Sequence, residues 1–183
     1  MLLPLLLAQA ALRDLTPAGA QARGYLLSVA RLAGLGGYGS LGKHRLPPGD
    51  VEVRFWGGFA LWGTRGLVLR KRAGRWTAVR IGGLHPERRK ALPAPRSGWP
   101  AFWGEAERRG IFTLPDQNQI KDKKGLAGID DGYSNLVEFQ RDGVYRAYAY
   151  DNPANQSTWP PARPMAALDR LVGREFPLFL GPE

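Results

Sequence analysis

The stretch YSNLVEFQRDGVYRAYAY, from Tyr133 to Tyr150, decides the fold. Two runs rich in β-branched and aromatic residues, Tyr133–Arg141 and Val144–Tyr150, flank Asp142-Gly143. Asp-Gly suits a type I′ turn, whose two central residues take positive φ and whose twist matches the strands it joins. A two-residue turn fixes the pairing: Phe139 faces Arg146, Val137 faces Tyr148 and Glu138 faces Ala147. Asp151-Asn152-Pro153 then ends the second strand.

Upstream, Leu67–Arg72 and Arg75–Ile81 form another hairpin around Ala73-Gly74, pairing Lys71 with Trp76, Leu69 with Ala78 and Leu67 with Arg80. One face carries Leu67, Leu69, Trp76 and Ala78 and is expected to cover the core. The opposite face presents Arg70, Arg72 and Arg75. Before it, Val51, Val53 and Phe55 alternate with Glu52, Arg54 and Trp56, the period of a half-buried strand. Gly57-Gly58 either turns that strand back into Phe59–Trp62 or marks a bulge.

Three segments carry helical spacing. The first runs from about Pro17 to Ala33, capped by Thr16, with Ala22, Tyr25, Leu26, Val29 and Leu32 on one face and Gly34 to close it. The second, Trp99 to Arg109, sets Trp99, Phe102, Trp103 and Ala106 in an apolar stripe expected to fill the core. On it Glu105 pairs with Arg108 or Arg109, and Gly110 is the stop. The third runs from Pro161 to Val172 and is stopped by Gly173. Short hairpins without βαβ units give an α+β fold: an antiparallel sheet built of hairpins packed against two or three helices. A chain of 183 residues suits one such domain. Residues 1–15 form a signal-like or apolar N-terminal segment, 16–173 the domain, and 174–183 an apolar tail that docks on the body or binds a partner.

Composition removes several chemistries. With no Cys there are no disulfides, zinc-thiolate sites or thiol nucleophiles. No apolar run reaches the ~18 residues of a transmembrane helix. The 26 basic against 16 acidic side chains leave a net charge of +10. Residues 65–90 alone hold nine Lys or Arg against one acid, Glu87. Such a field attracts polyanions, whether nucleic acid, anionic lipid or acidic envelope polymer, while a solvated face that only keeps the chain soluble has the same composition.

Met1–Leu7 is an apolar run, and Ala8-Gln9-Ala10 follows in the small-x-small pattern that ends a secretory signal. A positively charged start and several residues of length are missing, and an upstream start would supply both. The other reading is an apolar arm that packs on the domain.

Catalytic and nucleotide motifs lack their contexts. Gly37-Tyr38-Gly39-Ser40-Leu41-Gly42 fits G-x-G-x-x-G, but it follows a helix and Pro47-Pro48 blocks a helix behind it, the reverse of a dinucleotide site. As a P-loop it places His44 where Mg²⁺ needs a hydroxyl. The two His, His44 and His85, are too few for a His-built metal site, and no G-x-S-x-G elbow surrounds Ser40. Carboxylates remain: Asp130 and Asp131 before a strand, with Glu138, Asp151 and Asp116 at nearby positions, and a suitably spaced pair serves hydrolysis. Adjacent Asp residues before Gly132 are also ordinary turn formers.

One pattern carries a resemblance: Glu52-x-Arg54-x-Trp56, Trp99 to Trp103 followed by Gly110-Ile111 and Leu114-Pro115-Asp116, then Asp131-Gly132, Glu138, and Tyr145-Arg146-x-Tyr148-x-Tyr150-x-Asn152-Pro153. Over roughly residues 46–172 the chain resembles a family of uncharacterised bacterial exported proteins. The resemblance implies an envelope location and supplies no catalytic residue. Together these observations lead to an exported or envelope-associated, non-catalytic binding module that uses a basic hairpin face. Arg70, Arg72, Arg75 and Arg80 make contact, Lys71 stacks on Trp76, and the partner is an envelope protein or an anionic surface or polymer. No cofactor or metal is expected. The alternatives are a small hydrolase using Asp130, Asp131 or Glu138, and a cytoplasmic nucleic-acid binder in which Trp56, Trp62 and Trp76 stack bases.

Overall fold

Both hairpins take the registers their turns dictate. The computed structural model describes residues 31, 33–34, 37–43, 45–58, 64–82, 89–127, 133–156 and 158–176. Strands β1 (Val51–Gly58), β2 (Arg65–Arg72), β3 (Arg75–Gly82), β4 (Arg89–Leu92), β5 (Ser134–Arg141) and β6 (Val144–Asp151) form one antiparallel sheet in the order β4-β3-β2-β1-β5-β6. Phe139 pairs with Arg146 and Val137 with Tyr148 across the β5–β6 hairpin. Lys71 pairs with Trp76 and Leu67 with Arg80 across β2–β3. Asp142-Gly143 and Ala73-Gly74 all have positive φ, as type I′ turns require. Ala73 is held there because its N–H donates to Asp50 Oδ1 at 3.1 Å. Helices α1 (Trp99–Arg108) and α2 (Arg163–Glu175) pack on one face of the sheet, and the fold is α+β.

That face is the main core. Val53, Phe55, Leu67, Leu69, Val137, Phe139 and Tyr148 meet Phe102, Ala106, Leu168, Leu171 and Val172, all buried. Of the α1 stripe, Phe102, Trp103 and Ala106 are buried as expected while Trp99 is only partly buried, and Glu105 binds both Arg108 and Arg109. α2 continues past Gly173 to Glu175, and Phe176 is buried against Trp99 and Phe102. The Ser97 N–H donates to Glu175 Oε2 at 2.8 Å, which ties the start of α1 to the end of α2. The body therefore includes the first three residues of the expected tail; residues 177–183 lie outside the described residues.

The second face departs from expectation. Alternation in β1 predicts a half-buried strand with Glu52, Arg54 and Trp56 toward water. All three are buried, because the sheet is covered on both sides. Ala33 and Tyr38 pack onto this face with Trp56, Val68, Val79, Ile81 and Leu136, and Leu41 is also buried. Helical backbone persists at Gly34, and the positive φ falls instead at Gly37. Leu41–Lys43 is a single 3-10 turn, so the glycine-rich loop does not open a helix long enough to hold a phosphate. Gly57-Gly58 lies within the end of β1. The Pro17–Ala33 helix apart from its last residues, Phe59–Trp62, His44, His85, Asp130 and Asp131 lie outside the described residues.

Candidate binding cleft

The register places one cross-strand row at the end of the sheet that bears the two turns. Trp76, Lys71, Val51 and Arg141 are consecutive Cα partners across β3, β2, β1 and β5, on the face that meets the helices. α1 lies beside this row with Trp99, Trp103 and Glu107 directed to it. Between the two is an open cleft of about 430 Å³, whose lining also includes Gly49, Pro100, Phe112 and Asp142. That volume falls in the roughly 300–1,000 Å³ typical of small-ligand pockets.

Aromatic rings form its floor. Trp76 stacks on Trp99 with centroids 5.4 Å apart and on Trp103 at 4.5 Å. Trp103 in turn lies parallel to Phe112, at 6.1 Å and 9°. Among the described residues the N–H of the buried Trp103 indole has no hydrogen-bond partner. Each ring is positioned from behind. The Asp50 carboxylate grips the β2–β3 turn through Arg72 as well as Ala73, which fixes Lys71 and Trp76. The Ser97–Glu175 bond and Phe176 fix Trp99. Burial pushes Glu175 upward, but the Ser97 and Arg174 bonds outweigh it and hold the carboxyl below its ordinary value. Phe112 is set by Arg146, which donates to the carbonyls of Phe112 and Leu114, and by Tyr148 Oη, which donates to the carbonyl of Ile111.

The rim is charged. Arg141 lies over Phe112, 5.0 Å from the ring centroid, and binds Glu107 at 3.1 Å and Asp142 at 3.2 Å. Its charge is thus met by two carboxylates. Lys71 Nζ sits 6.0 Å from the Trp76 centroid and, among the described residues, meets no carboxylate.

The six residues expected to make contact lie on the two hairpin faces that the register predicts. Lys71, Trp76 and Arg80 lie on the helix-facing side, whereas Arg70, Arg72 and Arg75 lie on the other, since side chains alternate along each strand. Arg70 Nε donates to Glu52 Oε2, and its guanidinium stacks on Tyr38 at 4.2 Å. Arg72 binds Asp50, and Arg75 is exposed at the turn. Stacking aromatics and most hairpin guanidiniums therefore face opposite ways, and Trp56, offered as a base-stacking ring, is buried with its N–H on Glu138.

Glu138 is buried within the sheet. Its carboxylate accepts from Trp56 Nε1 at 2.8 Å and from Tyr145 Oη at 2.9 Å, and it pairs across strands with Arg54. Burial pushes its pKa up against the pull of Arg54. Beside it, Arg54 Nε donates to Glu52 Oε1 at 2.6 Å. Asp116 is likewise buried and raised, and accepts from the N–H groups of Asn118 and Ala149. Among the described residues no three His, Asp or Glu converge as a metal site would require, and no helix is long and apolar enough to cross a membrane.

The sequence reading missed Trp99 and Trp103 as cleft residues. A four-residue spacing shows that they share a side of α1 but not that the sheet row opposite them leaves a gap. The available signal was Lys71 beside Trp76, a cation and an indole on the core face of a hairpin. The chain matches no protein-family model, no curated protein and no solved structure.

Proposed function

We propose that this protein is an exported or envelope-associated binding module without catalytic activity, and that it takes its ligand in the tryptophan cleft. The observation that carries the reading is the Trp99–Trp76–Trp103–Phe112 row, held from behind by hydrogen bonds and open to solvent along one side, with an ammonium at its edge that meets no carboxylate among the described residues. Apolar concavity with a few convergent polar groups is the usual form of a ligand site. The signal-like start and the resemblance to exported proteins support the compartment. The hydrolase alternative draws no support from Glu138, which is enclosed and bonded at both oxygens.

The test is co-sedimentation of the purified full chain with the envelope fraction of its native host. Retention is expected to fall at least tenfold in Trp99→Ala and to be unchanged in Arg75→Ala, which lies on the other sheet face. Retention that depends on Arg75 and not on Trp99 refutes the cleft. The compartment is checked separately, by N-terminal sequencing of protein isolated from that host: cytoplasmic protein that keeps Met1–Ala10 refutes export.

A further inference from the structure

We propose that the cleft is built for a saccharide carrying a carboxylate, a uronate-bearing glycan segment. The inference rests on the binding-module reading and adds the chemical class of the ligand.

The floor and the rim make different demands. Trp76, Trp99 and Phe112 are partly buried and offer apolar surface to the cleft, with the buried Trp103 stacked on Trp76, and a wholly apolar ligand would cover that surface well. Such a ligand would also displace water from Glu107, Asp142, Arg141 and Lys71 and return no hydrogen bond for the ones it displaces. A pyranose ring meets both demands. One face presents C–H groups that lie against an indole, while hydroxyls project around its edge. A hydroxyl is donor and acceptor at once, so it can donate to the Glu107 or Asp142 carboxylates and accept from the Arg141 guanidinium. These side chains are partly exposed, 44% for Arg141, 52% for Glu107 and 68% for Asp142, so the rim is already wet and open to exchange.

Charge then selects among saccharides. Glu107 and Asp142 already offset Arg141, so among the described residues Lys71 is the basic group of the cleft lining that meets no carboxylate. One anionic group on the ligand completes it. A neutral sugar leaves that ammonium unmatched. A polyphosphate backbone needs cations along its length on the stacking side, and Arg70, Arg72 and Arg75 are on the other face.

The experiment is a titration of the full chain with trigalacturonate, the neutral trisaccharide maltotriose and the peptide triglutamate, read by tryptophan fluorescence and by amide chemical shifts. Saturable binding of trigalacturonate is expected, with maltotriose at least tenfold weaker and triglutamate without effect. Lys71→Met should lower affinity for trigalacturonate about tenfold, bringing it to the level of maltotriose. Trp99→Ala should abolish binding of both sugars; its unfolding curve is recorded alongside, and Lys71→Met, at the sheet end, keeps the test decisive if Trp99→Ala is poorly folded. Equal affinity for maltotriose and trigalacturonate overturns the uronate assignment, as does binding of triglutamate alone. If neither sugar binds while envelope retention still depends on Trp99, the saccharide assignment falls and the binding-module reading stands. If retention does not depend on Trp99, the binding-module reading itself fails.

Discussion

Replacing Arg54 by Met tests the account of the sheet's covered face. Arg54 is 2% exposed, and its Nε holds Glu52, whose side chain is 1% exposed. Methionine keeps most of the side-chain volume and removes the charge. Glu52 then retains Arg70, itself 30% exposed, and Arg72 at 3.9 Å. Removing one partner of a buried pair costs about 3–5 kcal/mol. Because Arg70 remains, we place the loss at the lower end, about 3 kcal/mol, or more than a hundredfold in the unfolding equilibrium. Urea denaturation followed by tryptophan fluorescence measures it. Glu138 supplies a pH signature. Burial already raises its pKa, and Arg54 is the largest influence opposing the rise. Without Arg54 the folded value climbs further above the unfolded one, near 4.3. A raised carboxyl binds its proton more tightly when folded, so stability falls as pH rises between the two values. The penalty of Arg54→Met is thus larger at about pH 8 than at about pH 5. A loss below about 1 kcal/mol, or a penalty that does not grow with pH, would refute the buried network.

Three further substitutions probe separate parts of the structure. A Cβ on Gly66 would stand 2.5 Å from Trp56 Cε3, and Trp56 cannot retreat without losing its bond to Glu138; Gly66→Ala should cost about 2–3 kcal/mol in urea melts. Ala73 holds φ 46° at the first turn position, so Ala73→Asn, which creates the favoured Asn-Gly pair, should stabilise by about 0.5–1 kcal/mol in the same assay. Glu138→Gln removes the titration described above, and the stability of the wild type relative to this variant should fall as pH rises from about 4.3 through the folded pKa of Glu138; a pH-independent difference would contradict the burial of that carboxyl.

Local chemistry made the sheet readable where the turns set the register. Asp142-Gly143 and Ala73-Gly74 each permit one two-residue loop, and from that loop every pairing down the hairpin follows. β4 is not legible in the sequence because Arg89-Lys90-Ala91-Leu92 is short, half charged and mostly exposed, with no alternation to mark it. The second covered face was legible in part. Trp56, Val68, Val79, Ile81 and Leu136 all fall on the side that the charges of Glu52 and Arg54 assign to water, which is too many apolar groups for a solvated face. The charged pair drew the opposite conclusion because a sequence does not show that Glu52 and Arg54, two residues apart on one side of a strand, neutralise each other. The cleft depended on something no local pattern records, the distance between α1 and the end of the sheet.

The same partition explains why a net charge of +10 is a poor guide to where a partner would bind. Much of the basic excess acts inside the fold. Arg54 and Arg70 satisfy Glu52, Arg72 braces the β2–β3 turn, Arg109 reaches Glu105 and the Ala167 carbonyl, and Arg146 supports the segment that carries Phe112. A guanidinium suits these tasks because its planar fork serves several acceptors at once and stays charged when half-buried. Lys71 differs from them: it makes no ion pair among the described residues, lies on the same sheet face as the tryptophans and borders open space. The density of Arg along the chain therefore points to what holds the hairpins in place, and the chemistry left for a ligand lies where an unmatched ammonium meets a row of indoles.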